Sequence, residues 1–172
     1  MKKHLVRLSI IIFSLVLLTS AAFAQSEVRY AELPNFQMVN ERLYRGAQPK
    51  DGGFRRLAEL GIRTVVNLRG AGEGTRADQA RARAAGLRFF NVPMAEHARP
   101  TEEQIERVLA IINAPENQPV FIHCRRGADR TGTIAAIYRI SQDGWTSESA
   151  IAEANGRGMF LTQFEMKDYI RD

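Results

Sequence analysis

Short apolar runs alternate with amphipathic stretches along most of the chain. The segments Arg42–Arg45, Arg63–Leu68, Leu87–Pro93 and Val120–His123 read as strands. The run Thr64-Val65-Val66-Asn67-Leu68 is β-branched and uninterrupted, the pattern of a strand buried on both faces. Val120-Phe121-Ile122-His123-Cys124 reads the same way. Helical spacing appears between them. Phe54, Leu57, Ala58 and Leu60 precede Gly61, a helix stop. Thr75–Ala85 is rich in Ala and Arg and ends at Gly86. Thr101 and Gln104 make a capping box, and Ile105, Val108, Leu109 and Ile112 then repeat at helical spacing up to Asn113. Thr131–Gln142, Ser147–Asn155 and Gln163–Ile170 are further helices. Strands alternating with helices predict an α/β fold, a central and mostly parallel sheet of four to five strands flanked by helices. Ligands of such sheets bind beyond the carboxyl ends of the strands. Trp145, Met94 and Phe90 are expected in the core.

The N-terminus has a different pattern. MKKHLVR is followed by the 11-residue apolar run LSIIIFSLVLL and by Ala22-Phe23-Ala24. This is the layout of a secretory signal peptide, residues 1–24, cleaved after Ala24. The run is short for a membrane span, which needs about 20 residues. No stable span is expected after cleavage, and without a cysteine after the run no lipid anchor is expected. Residues 25–40 read as a lead-in segment and 41–172 as the domain. The expected location is periplasmic or secreted.

Composition narrows the class. With 172 residues, 45% apolar and 25% charged, the chain suits one globular domain and is not disordered, collagen-like or multi-spanning. The formal charge of +5 includes Lys2, Lys3 and Arg7 of the signal segment; without them 21 basic and 19 acidic groups leave +2. No nucleic-acid partner is expected on that basis. One cysteine and three histidines argue against a disulfide or a metal site.

That cysteine ends a buried strand, in Val120-Phe121-Ile122-His123-Cys124-Arg125-Arg126-Gly127-Ala128-Asp129-Arg130-Thr131-Gly132. Five residues separate Cys124 from Arg130, which opens a helix. A loop of this length can turn its N–H groups inward and, with a helix N-terminus, bind a tetrahedral oxyanion. Gly127 allows the turn, and Arg130 can grip two phosphate oxygens. The same positive surroundings favour a thiolate nucleophile at Cys124. Thr131 can offer its hydroxyl to the sulfur as it leaves. His123 is expected to orient the loop through a hydrogen bond rather than act as a base.

The string HCRRGADRTG resembles the phosphate-binding signature of cysteine-based protein tyrosine and dual-specificity phosphatases. Asn35-Phe36, Leu43-Tyr44-Arg45-Gly46-Ala47-Gln48-Pro49 and Leu60–Arg69 are similar to plant-and-fungal-type atypical dual-specificity phosphatases and their secreted bacterial relatives. Tyr138-Arg139, Gly144-Trp145, Ala150 and Glu153 fit the same pattern. The resemblance implies a phosphotyrosine phosphatase-like fold, Cys124 as nucleophile and Arg130 as phosphate clamp. It implies Arg125, Arg126, Gly127, Ala128, Asp129 and Arg130 as the substrate cradle, with no metal or cofactor. Substrates would be a phosphorylated protein, an inositol phosphate or a phospholipid.

A proton donor for the leaving oxygen is harder to place. The family usually has an Asp on the loop before the signature, but Val92–Pro100 contains none. Glu96 is the nearest carboxylate there, with His97 beside it. Asp129, within the signature, is favoured over Glu96. Arg125 and Arg126 at the rim suit a polyanion. Arg45 and Arg69 follow strands and either reach the site or form structural ion pairs. Two other classes remain: a rhodanese-like sulfurtransferase, which normally lacks the Arg-Thr-Gly continuation, and a catalytically silent phosphate-binding module.

Overall fold

The computed structural model describes residues 29–70, 72 and 74–172. Residues 1–24, read above as a signal peptide, lie outside these residues. The described elements run β1 (Gln37–Asn40), β2 (Leu43–Ala47), α1 (Gly53–Glu59), β3 (Thr64–Asn67), α2 (Thr75–Ala84), β4 (Arg88–Asn91) and α3 (Glu102–Asn113). A 3₁₀ turn at Pro115–Asn117 leads to β5 (Val120–Cys124), α4 (Asp129–Asp143), α5 (Ser147–Gly156) and α6 (Phe164–Arg171).

The strands form one sheet in the order β1-β2-β5-β3-β4. The β2/β5, β3/β5 and β3/β4 pairs are parallel, and only the β1/β2 edge pair is antiparallel. The expected α/β architecture is therefore the observed one. β1 is the difference. It lies inside the segment read as a lead-in, and its four residues, Gln37-Met38-Val39-Asn40, carry too little alternation to signal a strand. Val39 is buried, whereas Met38 faces solvent.

Alternation along the central strands builds two cores, because successive side chains point to opposite faces. Val65 and Phe121 pack with Leu33, Phe54, Leu57, Ile62 and Leu87 under α1 and α2. Val66 and Ile122 pack with Ile105, Val108, Ile112 and Ile134 under α3 and α4. Ala136, Ala150, Ile151, Ala154, Met159 and Ile170 join α4 to α5 and α6. The Thr101 capping box forms as expected. Met94 is buried and Phe90 is partly buried against the core. Trp145 corrects the sequence reading: it is 36% exposed, with the Arg139 guanidinium 4.5 Å from its ring centre. Arg139 also binds Glu153 and Asp143, so Trp145 serves as a platform for a surface ion-pair group.

Candidate active site

Cys124 is the last residue of β5, pairs in register with Ala47 of β2, and is almost fully buried. The chain turns through Arg125–Ala128 and enters α4 at Asp129. The turn depends on Gly127, whose φ of +69° is left-handed. It also depends on close approach, because Gly127 lies directly against the backbone of Gly46 and Ala47.

The loop's carbonyls are held from outside. Arg125 O accepts the Gln48 N–H at 3.3 Å. Asn35 Nδ2 donates to Arg126 O at 3.2 Å and to Gly127 O at 3.1 Å, and Arg45 Nη2 donates to Gly127 O at 3.0 Å. A trans peptide directs its N–H opposite to its C=O. Pinning these three carbonyls outward therefore turns the N–H groups of Arg126, Gly127 and Ala128 toward the loop centre, beside Cys124 and the N-terminus of α4. This is an anion cradle.

The cradle opens into a pocket of about 210 Å³ lined by Glu96, His97, Cys124, Arg125, Arg126, Asp129, Arg130 and Phe160. Cys124, Arg125, Arg126, Asp129, Arg130 and Glu96 thus meet in one place. Arg130 is buried and donates from Nη1 to Met94 O at 3.3 Å and from Nη2 to Glu96 Oε1 at 3.1 Å. The Glu96 side chain is half exposed at the pocket lip. Gln163, which the sequence did not flag, is buried and holds this lip through Glu96 O and His97 Nδ1.

Asp129, the proton donor favoured from the sequence, makes two contacts at the pocket. Its Oδ2 pairs with Arg126 Nη2, and its Oδ1 accepts the Phe160 N–H at 2.9 Å. Both oxygens therefore accept hydrogen bonds, while Asp129 still lines the pocket. The Thr131 hydroxyl is buried and makes no hydrogen bond.

His123 is fully buried, and Nδ1 lies 3.3 Å from Cys124 O. Burial pushes its pKa down from the ordinary 6.5 to about 3, so the ring is neutral and serves in orientation. Arg45 lies beneath the cradle, 1% exposed, with Nε and Nη1 unbonded. Burial lowers its pKa to about 10, which still leaves it cationic at neutral pH. Arg69 takes the structural role: Nη1 meets Asp78 Oδ2 at 3.3 Å. Among the described residues no group of histidines, cysteines and carboxylates could hold a metal ion.

Comparison with known proteins decides the family. The family model for a dual-specificity/tyrosine phosphatase fused to NAD⁺ kinase matches residues 27–172. The chain belongs to this phosphatase family. Among its relatives is the dual specificity protein phosphatase TpbA of Pseudomonas aeruginosa strain UCBPP-PA14, 33% identical over 142 residues, covering 80% of this chain and 62% of TpbA. The inositol diphosphatase DSP5 of Arabidopsis thaliana is 27% identical, covering 70% of this chain and 60% of DSP5. The chain thus spans about three fifths of the length of these relatives. The crystal structure of P. aeruginosa TpbA in complex with pTyr superimposes with a TM-score of 0.68 at 27% identity, covering 84% of this chain and 91% of that one.

Proposed function

We propose that this chain is an exported phosphatase that hydrolyses phosphate monoesters through a phospho-cysteine on Cys124. The observation that carries the reading is the outward pinning of three loop carbonyls around a buried cysteine, with the buried Arg130 lining the same pocket. In the first step Cys124 Sγ attacks phosphorus, the P–O bond to the leaving group breaks, and the leaving oxygen takes a proton. In the second step water attacks phosphorus, its proton passes to the carboxylate that protonated the leaving group, and the S–P bond breaks, returning thiolate and inorganic phosphate. The inward N–H groups and Arg130 bind the equatorial oxygens in both steps. Thr131, whose buried hydroxyl lacks a partner, donates to the departing sulfur in the second.

Glu96 is the proton donor in this reading. It is on the lip, half exposed, and only Oε1 is engaged by Arg130. Substrates comparable to those named for the relatives, phosphotyrosine and inositol phosphates, carry the group the cradle fits, as do phospholipid head groups. Family membership favours hydrolysis over rhodanese-like sulfur transfer. Export after cleavage at Ala24 rests on the charged, apolar and small-residue order of residues 1–24.

The decisive experiment measures p-nitrophenyl phosphate hydrolysis under reductant, with Cys124→Ser and thiosulfate-to-cyanide sulfur transfer alongside. Phosphate release that vanishes in the variant supports the reading; sulfur transfer without phosphate release overturns it. N-terminal sequencing of protein from the periplasm should begin at Gln25. Glu96→Gln should slow phenyl phosphate about 100-fold and p-nitrophenyl phosphate far less. Equal slowing of both would remove Glu96 from the role.

A further inference from the structure

Three groups at the pocket mouth form a closed unit. Asp129 Oδ2 pairs with Arg126 Nη2, Asp129 Oδ1 accepts the Phe160 N–H at 2.9 Å, and the Arg126 guanidinium lies 3.8 Å from the centre of the Phe160 ring. Each member touches the other two. Two of the loop's three arginines thereby face a carboxylate: Arg126 meets Asp129, and Arg130 meets Glu96. Arg125 is exposed and has no carboxylate partner among the described residues. Phe160 is 48% exposed and lines the pocket.

We infer that Asp129 is a specificity-determining residue that holds Arg126 down on Phe160 and so shapes the mouth for one phosphate on a flat apolar group, against substrates with several phosphates. The inference rests on the phosphatase reading above and narrows its substrate class. A second phosphate next to the first needs a guanidinium within hydrogen-bond reach. Of the two arginines at the rim, Arg125 keeps that capacity but Arg126 does not, because its charge is neutralised by Asp129 and its face is stacked on Phe160. The Asp129 carboxylate itself repels a second anion. An aryl group leaving the cradle instead meets the exposed part of the Phe160 ring. Asp129 acts through Arg126 and Phe160, as a positioning residue.

The test uses the full chain, with p-nitrophenyl phosphate as substrate and inositol hexakisphosphate as competitive inhibitor. Asp129→Asn keeps an oxygen for the Phe160 N–H and removes the charge that holds Arg126. The inhibitor should bind this variant about tenfold more tightly, the scale of one charge-assisted contact, while KM for the aryl phosphate rises. The double variant Arg126→Met/Asp129→Asn has the wild-type net charge and should bind the inhibitor within about twofold of wild type. Unchanged inhibition in Asp129→Asn, or a double variant about tenfold weaker than wild type, overturns the inference, the latter because Arg126 would already be holding the polyanion. If Asp129→Asn does not fold, Phe160→Ala serves: KM for the aryl phosphate should rise with inhibitor affinity unchanged, and a wild-type KM overturns the inference. A wild type inert toward aryl phosphate would refute the phosphatase reading instead, and calorimetric affinities for inositol hexakisphosphate across the same variants would still decide the role of Asp129.

Discussion

Gly127 and Gly144 have the same backbone conformation, φ +69°, in different surroundings, and the pair separates local strain from cradle geometry. An alanine at either position adopts a left-handed conformation that costs about 1 kcal/mol. Gly144 ends α4, and a Cβ there meets nothing within 4 Å. Its substitution by Ala should lower stability by that 1 kcal/mol and leave catalysis alone. At Gly127 a Cβ would lie 2.3 Å from Gly46 C, 2.4 Å from Gly46 O and 2.5 Å from Ala47 N. All three are backbone atoms of β2 and cannot swing aside. The loop must retreat by about 1 Å to restore ordinary contact, and overpacking of this kind adds roughly 1–3 kcal/mol. A retreat of that size moves the N–H groups of Arg126, Gly127 and Ala128 relative to phosphorus. Misplacement by about 1 Å costs on the order of 100-fold in rate. The assay is kcat/KM for p-nitrophenyl phosphate together with urea unfolding midpoints. Gly127→Ala should lose about 100-fold in activity and more stability than Gly144→Ala. A Gly127→Ala variant within threefold of wild-type activity would refute the claim that the approach of β2 shapes the cradle.

Two further predictions concern buried cations and bases. His123 titrates near 3 in the fold against 6.5 when unfolded, so the unfolded state takes up a proton first as pH falls. Its contribution is intact above pH 6.5 and drains away between 6.5 and about 3, amounting to about 2 kcal/mol lost by pH 5. Urea titrations at pH 7.5 and 5 should show this loss in the wild type and not in His123→Leu; equal losses in both would assign the pH dependence elsewhere. Arg45→Met should leave stability unchanged or slightly raised, because the guanidinium is buried with two nitrogens unbonded. The same variant should lose about tenfold in kcat, since Gly127 O keeps only Asn35 as a donor. A large fall in the unfolding midpoint with unchanged kcat would reverse that account.

The central strands were legible because burial on both faces demands uninterrupted apolar runs, and Val65-Val66 and Phe121-Ile122 supply them. The helices were legible from caps and spacing. The signature loop was legible because its chemistry lies in one contiguous string. β1 was missed because an antiparallel edge strand of four residues, paired on one side only, needs little apolar pattern. Asn35, Gln48 and Gln163 were missed as supporting residues for a related reason. A polar side chain that satisfies a distant carbonyl looks the same in sequence as one facing water. Asn35 alone carried a local signal, visible only in the backbone: it is the one described non-glycine residue with positive φ. The partners of Asp129 are hidden for the same reason: Arg126 and Arg130 both lie near it in sequence, and the Phe160 N–H that its Oδ1 accepts lies 31 residues away.

These missed residues imply that the cradle is a tertiary structure rather than a property of its ten-residue string. Its carbonyls are tied to Asn35, Arg45 and Gln48, separated from the loop by more than 75 positions, and those ties exist only when β2 lies beside β5 with Ala47 opposite Cys124. In the parallel pair a one-residue slip would move Arg45 to the opposite face of the sheet and carry its guanidinium away from Gly127. Without those ties nothing holds the three carbonyls outward, and their N–H groups have no reason to converge. Anion binding by the loop should therefore be lost together with β2–β5 pairing, even in a state that retains α4. In the proposed mechanism the signature supplies the nucleophile and the clamp, and the segment before Gly53 supplies the contacts that shape the cradle around them.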